Sequence, residues 1–245
     1  MSKIKKLLPL ILLLAGVLVF VGVLLLAKGK KGEGEDEVAL MEVALAERPI
    51  ASLTPSDDGH WLTLTIEKIE IDAESLDYEL LYKLPDGRTQ GVPGTVALKG
   101  ESQIERELLL GSESSGKFRY DEGVKNGTLT LRFRNKKGKL LAKFSTEFSL
   151  LSGINELPTV DGAFTANLSK KSDDFFVVME TFGVAEMPQA DVVAGPYGVF
   201  SSAAAASGTI DISSGTVYQW TGKAWNKVSG QTSVLGVFAG LSVNK

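Results

Sequence analysis

Beyond residue 60 the chain alternates apolar and polar residues with a period of two. Leu62, Leu64 and Ile66 interleave with Thr63, Thr65 and Glu67, which predicts a half-buried strand. The phase slips at Lys68, and Ile69 and Ile71 resume on the other register. A one-residue slip of this kind predicts a bulge or a bend. Tyr78, Leu80, Tyr82 and Leu84 share the next strand face, closed by the turn Pro85-Asp86-Gly87. Residues 92–98, 104–110 and 118–120 are further strand candidates, while the Ser-rich segment 111–116 reads as a connecting loop. Leu129, Leu131 and Phe133 alternate against Thr and Arg up to the turn at Asn135-Lys136-Lys137-Gly138. The returning strand puts Leu140, Ala142, Phe144, Thr146, Phe148 and Leu150 on one face. This is the cleanest hairpin in the sequence.

After residue 152 the rhythm persists but the composition changes: charge falls while Ala, Gly, Ser and Val rise. Phe164, Ala166 and Leu168 alternate, and residues 175–179 form a short apolar run suited to a buried strand. Residues 192–193, 197–200 and 209–212 are weaker candidates. Residues 217–220 and 224–228 flank Thr221-Gly222-Lys223, a second hairpin, and residues 234–241 supply a last strand. Ala203 to Ala206 could make one helical turn, but neither half shows a sustained helical period.

One segment departs from this pattern. Residues 7–27 are 21 consecutive uncharged residues. At about 1.5 Å per residue, a helix of this length spans the roughly 30 Å hydrocarbon core of a bilayer. Lys3, Lys5 and Lys6 precede it, and Lys28, Lys30 and Lys31 follow. A cleaved signal peptide has a shorter core and a small-residue site after it; here Lys28 follows at once. An uncleaved transmembrane anchor is the expectation. Residues 1–6 are expected as a short cytoplasmic tail, with the long part that follows the span translocated.

Partitioning the charge supports this division. The net charge of -4 is a cancellation: residues 1–31 carry six Lys and no acid, and residues 32–47 carry six acids and no base. Glycines at 29, 32 and 34 interleave with these charges, so residues 28–47 read as a flexible stalk, with enough apolar residues between 38 and 46 for a short helix or a first strand. The expected architecture is all-β: two tandem antiparallel β-sandwich domains, residues 48–152 and 159–245, joined by a connector at 153–158. The first resembles an immunoglobulin domain in size and strand rhythm only. It lacks the Cys…Trp…Cys hallmark, since the chain has no cysteine.

Composition narrows the chemistry. Without cysteine there is no thiol nucleophile, Cys-ligated zinc, iron–sulfur cluster or disulfide. A single histidine, His60, excludes sites that need two. It sits beside Trp61 and follows Asp57 and Asp58, but no G-x-S-x-G elbow accompanies it. Neither a Walker A loop nor a dinucleotide fingerprint occurs, so no cofactor is expected. The acid pairs Asp57-Asp58, Asp121-Glu122 and Asp173-Asp174, together with Asp161, read as turn residues; calcium would need six to eight oxygens around it. The weakly acidic balance argues against nucleic acid as a partner.

The aromatic residues of the second hairpin are the candidate binding surface. Tyr218 and Trp220 share a strand face, and Trp225 lies across the turn. They either cover the core of a small sandwich or offer rings and polar tips to a sugar or a protein. The sequence as a whole predicts a non-catalytic, single-pass envelope protein. It is held in the bilayer through residues 7–27, and its ectodomain binds or scaffolds a protein or glycan partner. An anchored hydrolase acting on envelope polysaccharide, or a subunit of a surface filament or secretion assembly, are the alternatives.

Overall fold

Phe176, Val177, Val178 and Met179 are all buried, although neighbours along a strand point to opposite sides. A strand that is apolar on both faces must lie between two cores. The computed structural model describes residue 40 and residues 42–242 and shows how this arises.

A 3-10 turn, Leu45–Glu47, leads into β1 (Ile50–Pro55), followed by β2 (Trp61–Glu67), β3 (Ser75–Lys83), β4 (Thr89–Ala97) and β5 (Ile104–Leu109). A short hairpin, β6 (Gly111–Ser114) and β7 (Lys117–Tyr120), precedes β8 (Asn126–Arg134) and β9 (Leu140–Leu151). The second half holds β10 (Ile154–Pro158), β11 (Phe164–Ser172), β12 (Phe176–Glu180), β13 (Val192–Ser201) and β14 (Ser207–Ile212). It closes with β15 (Thr216–Trp220), β16 (Trp225–Lys227), β17 (Thr232–Ser233) and β18 (Gly236–Leu241). All the pairings are antiparallel, and no α-helix occurs among the described residues.

A nine-stranded sheet, ordered β16-β15-β18-β13-β12-β9-β8-β3-β4, runs through both halves. A three-stranded sheet, β1-β2-β5, and a four-stranded sheet, β10-β11-β14-β17, accompany it. The first core gathers Leu53, Leu64 and Ile66 from the three-stranded sheet with Leu80, Leu131, Phe133 and Phe148 from the large one. The second gathers Leu157, Phe164 and Ala166 from the four-stranded sheet with Tyr197, Val199 and Phe238. Strand β12 serves both. Val177 and Met179 enter the first core, while Phe176 and Val178 enter the second. The two cores therefore meet opposite faces of one sheet.

Several expectations change here. Residues 153–158, read as a connector, contain β10, which pairs with β11. The pairing of β9 with β12 carries the large sheet across this point without a break. All the described strands lie in one compact unit, Met41–Lys245. The stalk read over 28–47 does not extend to its expected end: Val43 is buried in the first core, and Arg48 Nε donates to its carbonyl at 2.9 Å. Segment 111–116, read as a loop, contains β6. The slip at Lys68 is the end of β2, where Lys68 takes φ +56° and sends its Nζ to the Val184 carbonyl at 3.0 Å. Residues 203–206 form no helical turn. Among the described residues no helix is long and apolar enough to cross a membrane; the predicted span at 7–27, the tail at 1–6 and most of the stalk lie outside them.

Candidate functional site

Strand β15 orients the predicted aromatic residues. Its Val217 packs on the second core, so alternation sends Tyr218 and Trp220 to the other face. Trp220 lies directly opposite Trp225 in the β15–β16 ladder. Their rings are 5.7 Å apart and tilted by 51°. Tyr218 pairs with Lys227 on one side and Ala239 on the other. The hairpin thus brings all three residues together, each half-buried. The indole Nε1 of Trp225 donates to the Glu186 carbonyl at 2.7 Å, which ties the β12–β13 loop to this edge. One of the three polar tips is therefore already engaged within the chain.

A second aromatic group, which the sequence reading did not collect, stands on the β6–β7 hairpin. This ribbon forms a separate two-stranded sheet and is solvent-exposed on both faces of β7. A ribbon of two strands is marginal alone in water, so it needs contacts to the body. Tyr120 provides one by stacking on His60, with centroids 4.2 Å apart and planes within 10°. Phe118 packs against Trp61 in a T-shaped pair, with centroids 5.6 Å apart. Phe118 and Tyr120 lie 6.2 Å apart with planes within 9°. Despite these contacts Phe118 keeps 49% of its surface exposed and Tyr120 keeps 37%. The signal was present in the alternation Lys117-Phe118-Arg119-Tyr120, but the Ser-rich partner strand concealed the pairing.

The β1–β2 turn fixes His60. Gly59, at φ +68°, lies against the ring of Phe175, leaving no room for a side chain. The Ser56 hydroxyl donates to Asp58 at 2.6 Å, and the His60 amide donates to the same oxygen at 3.0 Å. These two bonds, the hydroxyl first, hold the Asp58 carboxyl down at about 2. The imidazole sits between two carboxylates. Its Nε2 is 3.3 Å from Glu122 and its Nδ1 is 3.1 Å from Asp58, the latter outside hydrogen-bonding geometry. Ser56 therefore donates to the acid and not to the histidine, an arrangement that does not activate its hydroxyl as a nucleophile.

Three of the other turn acids are engaged locally. Asp121 accepts the Tyr82 hydroxyl at 2.9 Å. Asp161 accepts the Thr159 hydroxyl at 2.6 Å and the Ala163 amide at 3.0 Å, and these bonds hold its carboxyl below the usual carboxylate range. Asp174 accepts the Ser172 hydroxyl. Among the described residues no three His, Asp or Glu side chains converge as a metal site. A cavity of about 330 Å³ is lined by Asp72, Glu74, Asn135, Lys136 and Lys137. Its charges are of both signs, with Lys136 and Glu74 4.0 Å apart, so it selects for no particular ligand charge. No family model, curated protein or solved structure matches this chain.

Proposed function

We propose that this chain is a single-pass, N-terminally anchored envelope protein whose β-rich body binds or scaffolds a protein or glycan partner without catalysing a reaction. Residues 7–27 would hold it in the bilayer, with the tail at 1–6 cytoplasmic and the body outside. We read the body as two β-sandwich layers over one shared sheet, the first half immunoglobulin-like in size. The observation that carries the binding reading is the β6–β7 hairpin, which keeps about half of Phe118 and over a third of Tyr120 in water. Partial exposure of the two rings forfeits up to about half of the roughly 1.5–3 kcal/mol that full burial of a large apolar side chain contributes. Aromatic residues are also the type enriched where proteins meet partners.

Two measurements test this. The chain contains no cysteine, so a single Cys at the exposed Lys223 position gives a unique label. Reaction with a membrane-impermeant maleimide on intact cells is expected; labelling only after lysis overturns the orientation. Cross-linking of the full chain in its membrane, followed by capture, should recover a stoichiometric protein or polymer. Recovery of the chain alone would count against a binding role.

A further inference from the structure

The β6–β7 hairpin sorts its residues by face. Glu113 lies opposite Phe118, and Gly111 opposite Tyr120. Directly paired residues share a face, so this side of the ribbon carries two rings, one acid and no base. Lys117 and Arg119 pair with Ser114 and Ser112 on the other side. The acidic character continues beyond the ribbon. Glu122 and Asp58 flank the imidazole stacked on Tyr120, with 82% and 56% of their side chains exposed. Three carboxylates thus border a partly exposed aromatic surface from which the hairpin's own cations are directed away; one of them, Glu113, also accepts the Gly116 amide of its turn at 2.6 Å.

We propose that this aromatic and acidic face of the hairpin is a docking site for a Lys- or Arg-bearing segment of a partner protein. The inference rests on the binding reading above and selects the protein partner. A cation is attracted both to the faces of aromatic rings and to the carboxylates beside them. An anionic polymer would meet three like charges; a neutral glycan could donate hydroxyls to them but would leave their charge uncompensated. Exposed charges around such a surface act mainly by steering association, so binding weakens as salt rises.

The test uses the full chain in phosphatidylcholine nanodiscs and a fluorescent nine-residue peptide of alternating Arg and Gly. Saturable binding is expected, weaker by about tenfold in F118A/Y120A and in E113Q/E122Q. The second variant keeps both rings, so it remains informative should the first fail to fold. K117Q/R119Q, on the opposite face, should bind at least as well as the parent. D173N/D174N removes two charges elsewhere; an equal loss there would reduce the effect to net charge and overturn the site. Absence of saturable binding, or preference for chitohexaose over the peptide, would also overturn it. If cross-linked capture of a partner survives in F118A/Y120A, the binding reading stands and the hairpin site falls.

Discussion

The hydroxyl of Tyr82 donates to Asp121 Oδ2 at 2.9 Å, joining β3, the strand beside one edge of the large sheet, to the root of the β6–β7 hairpin. Tyr82 is 1% exposed, so its ring is part of the first core while its tip reaches the base of the arm. Burial pushes its phenol pKa up, and the Asp121 hydrogen bond and charge push it further. A folded-state value above the ordinary 10 or so means that the contribution to stability is complete below that pH and is lost as pH rises beyond it. Y82F should cost about 1.5 kcal/mol at pH 7. It should also flatten the decline of Tm between pH 10 and 12. Hydrogen exchange should quicken selectively over residues 111–121, since the arm would lose one of its tethers.

Acid stability depends on a cross-strand pair. Arg134 Nε donates to Asp77 Oδ2 at 2.6 Å, and Thr95 donates to the other oxygen at 2.8 Å. Burial alone would raise this carboxyl, but these bonds and the charges of Arg134 and Arg132 outweigh it, and the group titrates below the usual carboxylate range. A depressed value gives stability that is present above about pH 4 and lost as pH falls through the folded-state value. D77N is expected to cost about 1.5 kcal/mol at pH 7. Denaturant titrations should show the difference from the parent closing as pH drops below 4.

Glu180 points the other way. Burial raises its carboxyl, the Arg48 charge offsets part of this, and Asp161 adds to the rise. A raised carboxyl favours the fold most below its ordinary value near 4.3, and this advantage disappears as pH rises and the buried group ionises. E180Q keeps the shape and removes the charge. It should therefore stabilise the protein by about 0.5–1 kcal/mol at pH 7 and have no effect below pH 4. A lower Tm at pH 7 would show that Arg48 holds the carboxylate more firmly than its burial penalises it.

The shared sheet predicts that the two cores melt together. F176A removes a ring from the second core, and M179A removes a chain from the first; each should cost about 2–5 kcal/mol. Trp61 reports on the first half, and Trp220 with Trp225 on the second. Fluorescence of W61F and of W220F/W225F should give coincident denaturant midpoints in either core variant. Two separated midpoints would show that β9 and β12 part before either core dissolves.

Much of the sheet was legible because its strands are half-buried and their outer faces are polar. Strand β9 is the clearest example: Ala142, Phe148 and Leu150 face inward and Lys143 and Glu147 outward, as its alternation predicts. Both main turns, at Asn135 and at Gly222, also lie where the sequence puts them. Strands β1, β6, β10 and β17 lie outside the strands the sequence predicts. Gly111-Ser112-Glu113-Ser114 has loop composition, and only its pairing with β7 makes it a strand. Strand β10 exposes Ile154, Asn155 and Glu156, and nothing local distinguishes such a segment from a connector. The continuity of the sheet depends on the β9–β12 pairing, a non-local choice that periodicity does not encode. For the candidate site, the Trp220–Trp225 contact followed from the hairpin alone. The His60–Tyr120 stack joins residues 60 apart in sequence and needed the fold.

The double-sided burial of β12 also bears on how this protein would respond to a frame error in its centre. In an ordinary half-buried strand, shifting by one residue turns polar groups inward, and the error is penalised at once. Here Phe176-Val177-Val178-Met179 stays apolar whichever way it faces. A single inserted residue would exchange the contents of the two compartments, and only Glu180 at the strand's end, carried toward the fully buried place of Met179 or Thr181, would bring a charge inward. Each would then be filled with side chains of the wrong shape, which loosens packing before it abolishes collapse. The segment most essential to holding the molecule together is thus the one whose placement is dictated by fit and by neighbouring strands, and least by polarity.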